Sequence, residues 1–91
     1  MKTDRDKAYA PAPYEIADIV AIKALANGTA MEHQQKRAMD WIIRAACATY
    51  DLSYRPESDR DTAFAEGRRF VGLQIVKALH LEVSILKKDE S

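Results

Sequence analysis

The stretch from Asp61 to Lys88, DTAFAEGRRFVGLQIVKALHLEVSILKK, is the longest run in the chain with no proline and an unbroken helical pattern, and it sets the frame for everything else. On a helical wheel Phe64, Val71, Ile75, Ala78 and Leu79 fall in one apolar stripe, with Gly67 and Gly72 on its flanks. That stripe is the expected core face. Glu66, Arg69, Lys77 and His80 fall opposite, but Phe70 and Leu73 interrupt this polar side and would be wetted in a lone monomer. Val83 and Leu86 continue the stripe, so the helix is expected to reach Lys87-Lys88, whose charges suit a helix C-terminus. The alternation of Leu81, Val83 and Ile85 with Glu82 and Ser84 leaves a short strand as the alternative there.

Three residues in this helix need a reason to be present. Gly67 and Gly72 each cost a helix about 1 kcal/mol relative to alanine, and close approach of another helix or an aromatic ring is the expected compensation. Arg68 lies inside the apolar stripe, where arginine is rarely buried without a partner. Three arrangements would satisfy it. Its stem lies along the core while the guanidinium reaches water, or the guanidinium is held by a carboxylate or by carbonyls at the end of a neighbouring helix, or it faces another chain.

Ninety-one residues allow one domain with one modest core. A hydrophobic content of 47% with 31% charged residues is that of a folding chain, not of a disordered one. Fourteen basic and fourteen acidic residues cancel, so no global field draws the chain to nucleic acid or to an anionic membrane. A single cysteine, Cys47, rules out an internal disulfide framework and suits a reducing cytosol. The polar N-terminus has no signal-peptide core, and no apolar run reaches membrane-spanning length, so a membrane is not an expected partner.

Residues 1–13, with an alternating Ala-Pro pattern and little to bury, read as a disordered arm, and residues 14–88 as a single helical domain. The first helix is expected over Tyr14 to Ala26, its broad apolar surface of Ile16, Ile19, Val20, Ile22 and Leu25 implying cover on more than one side. Asn27-Gly28 ends it. Thr29 with Glu32 has the capping-box spacing, and a second helix is expected from there to about Tyr50, its apolar side formed by Met31, Ala38, Met39, Ile42, Ile43, Ala46 and Tyr50. Glu32 with Lys36 and Asp40 with Arg44 are well-oriented pairs, each worth roughly 0.3 kcal/mol. Trp41 lies at the boundary between faces with its N–H expected in water. Pro56 marks the interhelical loop 51–60, and Ser58 is the expected cap of the third helix.

No Gly-rich phosphate loop, paired-histidine metal motif or nucleophile elbow occurs, so the chain reads as non-enzymatic, with no catalytic residue, no metal ligand and no cofactor. His33 and His80 fall on polar faces of different helices. Cys47 reads as a small apolar residue near the end of the second helix. A helix-turn-helix would use His33, Gln34, Lys36 and Arg37 to read DNA, although the charge balance argues against it and a plain helical hairpin explains the same spacing.

The residues FAEGRRFVGLQIVK (Phe64 to Lys77), the Trp41-Ile42-Ile43 run and the loop TYDLSYRPES together resemble the Bbp-nineteen-like phage domain, a family of small tailed-phage proteins. The similarity covers about Asp18 to Leu79. The family motif F-x-E-G-R-R-x-V-G is matched by Phe64, Glu66, Gly67, Arg68, Arg69, Val71 and Gly72. The resemblance implies a gene of a tailed phage or prophage, acting in a host cytoplasm or in the virion, in a family with no established activity.

The combined expectation is an all-α fold, a helical hairpin packed against a longer third helix. Function is expected through protein contacts in virion assembly, DNA packaging or the phage head interior, with a second copy or a phage structural protein as the partner. The interface candidates are Arg68, Arg69, Phe70, Leu73, Lys77, Leu81 and Ile85; Gly67 and Gly72 are the helix-packing positions. The alternatives are a DNA-binding packaging factor of the small-terminase kind and an inhibitor of a host enzyme.

Overall fold

A computed structural model describes the backbone of residues 10–90 and the side chains of residues 10–87. The fold is all-α, with no strand among the described residues. Helix α1 (Ile16–Ala26) and helix α2 (Glu32–Trp41) form the hairpin; α2 runs directly into a π-helical turn, Ile42–Ala46; α3 is Asp59–His80 and α4 is Val83–Glu90.

The hairpin turn is built by backbone chemistry that its residues favour. Gly28 sits at φ 73°, and the Gly28 and Thr29 N–H groups donate back to the carbonyls of Leu25 (3.1 Å) and Ala24 (2.9 Å). This is a Schellman closure of α1. It also corrects the expected capping box: Thr29 is spent on the end of α1, and its hydroxyl too lies 3.4 Å from the Ala24 carbonyl. α2 starts later, with Met31 as the cap residue, whose N–H donates to Gln34 Oε1 at 2.9 Å. At the start of α1 the N–H of Glu15 likewise donates to Asp18 Oδ2 at 2.9 Å.

The second helix does not continue to Tyr50. After Trp41 the ladder widens to the π turn, and Cys47 N–H closes on the Ile42 carbonyl at 2.9 Å. Ala48 then takes a left-handed conformation, φ 49°, and the N–H and hydroxyl of Thr49 both donate to the Ile43 carbonyl, at 3.2 and 2.6 Å. The hydroxyl offers the backbone an alternative to the helical ladder, which is the physical reason the helix stops here. Downstream, the Arg55 N–H donates to Thr62 Oγ1 at 2.7 Å, tying the loop to α3. Ser58 Oγ accepts from the Asp61 N–H at 3.1 Å, as the N-terminal cap of α3.

α3 ends eight residues short of the expected Lys88. Its last turn tightens, with Leu81 N–H on the Ala78 carbonyl, and Leu81 itself is extended. α4 follows at once, so residues 83 to 86 are helical and the strand alternative is overturned. No glycine or proline forces the break.

α1 packs on α2, and α3 packs on the π turn; among the described residues α3 shares no Cα pair within 8 Å with α1 or α2, and α4 shares none with any other helix. The consequence is a thin, open arrangement, 53 × 35 × 16 Å, with a radius of gyration of 16.2 Å. A compact chain of this length would have about 12 Å. The buried apolar set is correspondingly small: Ala21, Ala38, Ile43, Cys47 and Ala65. Among the described residues α1 is covered by α2 alone, without the cover on several sides that was expected: Ile16 is 83% exposed, and Val20 and Leu25 are exposed as well.

The N-terminal arm expected over 1–13 lies outside the described residues as far as position 9. Ala10 to Pro13 carry no regular structure, and the Pro13 carbonyl accepts from Trp41 Nε1 at 2.9 Å. The indole N–H is therefore bonded to the chain, where water was expected.

Candidate interaction surface

The face of α3 that meets the rest of the chain is formed by Ala65, Arg68, Gly72 and Ile75, all buried or half-buried. At 100° per residue this face is rotated by roughly a sixth of a turn from the stripe expected to form the core, with Ile75 common to both. Phe64 (49% exposed), Val71 (52%) and Leu79 (57%) are left on the surface. The reason lies in what α3 packs against. The segment after the π turn approaches α3 so closely at Gly72 that no side chain fits there. A Cβ on Gly72 would collide with Thr49 Oγ1 and would come within 2.9 Å of both Cys47 Cβ and Thr49 Cβ. A large apolar group cannot occupy position 72, so the Phe64–Val71 side of α3 is turned away from this contact while Ile75 stays half-buried in it.

Gly67 is different. It is exposed, and a Cβ built on it meets nothing within 4 Å. Among the described residues none makes the close approach that was expected to offset its cost.

Arg68 takes the second of its three arrangements. Its Nε donates to the Ala46 carbonyl at 3.2 Å, and its Nη2 to the carbonyls of Ala46 (2.9 Å) and Ala45 (3.2 Å). These carbonyls belong to the end of the π turn, where helical geometry leaves acceptors without backbone donors. The positive fork thus sits against the negative end of the α2–π segment. Arg68 also lines a cleft of about 490 Å³ between Ala10–Pro13 and the Ala45, Ala48, Asp51 and Arg55 side. Arg55 Nη1 donates to the Leu52 carbonyl at 2.6 Å, while its Nε is buried with no hydrogen-bond partner among the described residues.

The other candidates lie away from this contact. Arg69 reaches Glu66 at 3.8 Å along the helix surface, a distance worth little in water. Phe70 (62% exposed), Leu73 and Lys77 share one outward face of α3, and Leu81 and Ile85 are exposed at and beyond its end. None of these five touches a second element in a way that would hide it. His80 is exposed, with Nδ1 2.8 Å from the Val76 carbonyl, a geometry that requires the proton on Nδ1. No cluster of three metal-capable side chains is found among the described residues, and no helix there is long and apolar enough to cross a membrane.

Sequence reasoning missed two constellations. Thr49, fully buried against Gly72, has no periodicity to announce it. The second was legible: Asp18 and Arg37 lie symmetrically about the Asn27-Gly28 turn, so an antiparallel hairpin brings them together. Arg37 Nε donates to Asp18 Oδ1 at 2.8 Å, and its Nη2 to Glu15 Oε2 at 3.2 Å. The Asp18 carboxyl is held below its ordinary range, chiefly by the Glu15 backbone N–H; desolvation opposes this, and the Arg37 guanidinium adds to the lowering through its hydrogen bond and its charge. The expected pairs Glu32–Lys36 (3.0 Å) and Asp40–Arg44 (2.7 Å) are present, and Arg44 also stands 5.0 Å over the Tyr50 ring.

The chain matches no protein family, no curated protein and no solved structure with which it was compared.

Proposed function

We propose that the chain is a non-enzymatic phage protein that works by protein contact, in virion assembly, DNA packaging or as an internal head component, made in the host cytoplasm. One observation carries the contact reading. The outward residues Phe70, Leu73, Leu81, Val83, Ile85 and Leu86 are all exposed along α3, α4 and the junction between them, and among the described residues the buried apolar set holds one large aliphatic side chain, Ile43. Large apolar side chains left exposed in this number on a small protein point to an interaction site. The phage context rests on the F-x-E-G-R-R-x-V-G resemblance alone.

The DNA-packaging alternative has weaker support. In α2, Lys36 is engaged by Glu32, and Arg37 by Asp18 and Glu15. Cations already neutralised by neighbouring acids release few counterions from a duplex. A gel-shift series over salt, run with phage and random duplex, is expected to show no binding even at low ionic strength; tight, steeply salt-dependent binding would favour the packaging-factor reading instead.

The main reading is tested by immobilising the full chain, passing infected-host lysate over it and identifying retained proteins by mass spectrometry. A phage structural or packaging protein, held by wild type and lost with Phe70→Asp plus Leu73→Asp, is the expected result. Retention of a host enzyme that the chain inhibits would replace this reading with the inhibitor alternative. A retained set unchanged by the double variant would remove this face from the claim.

A further inference from the structure

Trp41, the one tryptophan in the chain, is half-buried, and its indole N–H donates to the Pro13 carbonyl at 2.9 Å. The residues leading to that carbonyl, Ala10-Pro11-Ala12-Pro13, alternate in exposure: both alanines are half-buried and both prolines are exposed. They form one wall of the cleft of about 490 Å³, whose other wall includes Ala45, Ala48, Arg55 and Arg68. Proline fixes φ at positions 11 and 13 and holds the preceding alanines to extended geometry. A segment of this kind makes no internal hydrogen bonds, so its carbonyls are open to side-chain donors. Aromatic grooves hold proline-rich segments on this basis, at small entropic cost because the segment is already extended.

We infer that the Trp41, Ala45 and Ala48 surface is a docking groove for proline-rich segments, and that Ala10–Pro13 is a strap that fills it until a partner's proline-rich segment takes its place. The occupant is selected by what the groove holds in the structure. Trp41 supplies the aromatic side chain and the donor, and Ala45 and Ala48, in the π turn and just after it, are small enough for a backbone to lie close. The strap can leave without undoing a helix. Among the described residues one hydrogen bond ties it to the rest of the chain, and the contacts that make the fold, α1 on α2 and α3 on the π turn, do not run through it. The start of α1 is closed independently, by the Glu15 N–H on Asp18. This groove is separate from the Phe70–Leu73 face, so the inference goes beyond the contact reading and does not depend on it.

A fluorescently labelled peptide of Ala-Pro repeats, titrated with the full chain and followed by anisotropy, tests the groove. Wild type is compared with Ala10→Arg plus Ala12→Arg, which puts two cations into the cleft that Arg55 and Arg68 already line and so opens the strap. Residues 10–13 lie outside every helix, so circular dichroism should show equal helicity in the two proteins. The open variant is expected to bind the peptide at least about tenfold tighter than wild type, the factor by which a strap closed about nine-tenths of the time weakens a competitor. Trp41 emission locates the binding: it should shift to the red in the open variant and return toward the wild-type position as unlabelled peptide is added. A peptide of Ala-Gly repeats, which lacks the fixed φ, should do neither. Equal affinity for the two proteins overturns the inference, as does an open variant that fails to bind at millimolar concentration, an equal response to the Ala-Gly peptide, or a loss of helicity that makes the strap part of the core. The lysate experiment with the Phe70 and Leu73 variants reads a different surface, so the two fail separately.

Discussion

The fully buried Thr49 side chain fills the space beside Gly72 that a Cβ would need, and this one contact decides how α3 is rotated against the rest of the chain. The obstacle is a side chain fixed by its own hydrogen bond to the Ile43 carbonyl, with Cys47 Cβ on the other side, so it cannot swing away. Gly72→Ala should therefore destabilise the fold by about 1–3 kcal/mol, the range for overpacking a filled site, despite the better helix propensity of alanine. Urea unfolding followed by circular dichroism measures it, and a neutral or stabilised Gly72→Ala would show that the contact relaxes freely.

Gly67 supplies the opposite sign in the same helix. With open space around it, Gly67→Ala should stabilise the monomer by up to about 1 kcal/mol, the propensity difference alone. Run side by side at low concentration, the two glycine variants should move the denaturation midpoint in opposite directions.

Arg68 bonds the Ala45 and Ala46 carbonyls, and its loss strands acceptors at the end of the π turn. Hydrogen bonds to a charged donor are worth about 1.5–3 kcal/mol, and partial exposure of this residue puts the expected cost of Arg68→Met near the lower end. Arg68→Lys should recover only part of it, because a point charge cannot match a planar fork. A thermal melt in which Met is as stable as arginine would move Arg68 from fold to interface.

The parts of this fold set by local chemistry were readable from the residues. Asn27-Gly28 closes α1 and Ser58 caps α3 because both depend on neighbours a few positions away. Arg68 was visible as an anomaly, and one of its three arrangements is the one found. The parts set by distant contacts were not readable. The π turn ends α2 through a hydroxyl, Thr49, whose place in the fold depends on Gly72, more than twenty residues further on. The rotation of α3 follows from that same contact, which is why Phe64 and Val71, the centre of the best apolar stripe in the sequence, turned out to face solvent. A wheel identifies apolar lines but not which of two lines is used internally.

Asp18 gives the fold an acid-sensitive point. Its folded-state pKa lies below the ordinary value, so it contributes stability that is fully present above about pH 4 and is lost as pH falls through the depressed folded pKa. Asp18→Asn should lower the melting temperature at neutral pH and flatten its dependence on pH below 4. Thermal melts from neutral to strongly acidic buffer check the slope; identical slopes in the two proteins would mean that the Glu15–Asp18–Arg37 cluster is not formed in solution.

Ala48 holds the left-handed conformation that sends the chain from the π turn back toward α3. For a residue with a Cβ this conformation costs about 1–2 kcal/mol, whereas glycine adopts it freely. Glycine also gains unfolded-state entropy, which cancels roughly 0.4–1 kcal/mol of the relief. Ala48→Gly should thus be stabilising by about 0.5–1 kcal/mol, an unusual sign for a substitution that deletes a methyl group beside a packed segment. Ala48→Val is the matched control: a β-branched side chain is still less tolerant of positive φ, so it should destabilise, and the effect should appear without any change in the helicity of α1. Both are read by chemical denaturation. If glycine destabilises and valine is neutral, residue 48 is not left-handed in solution, and the path that carries Thr49 to Gly72 is wrong with it.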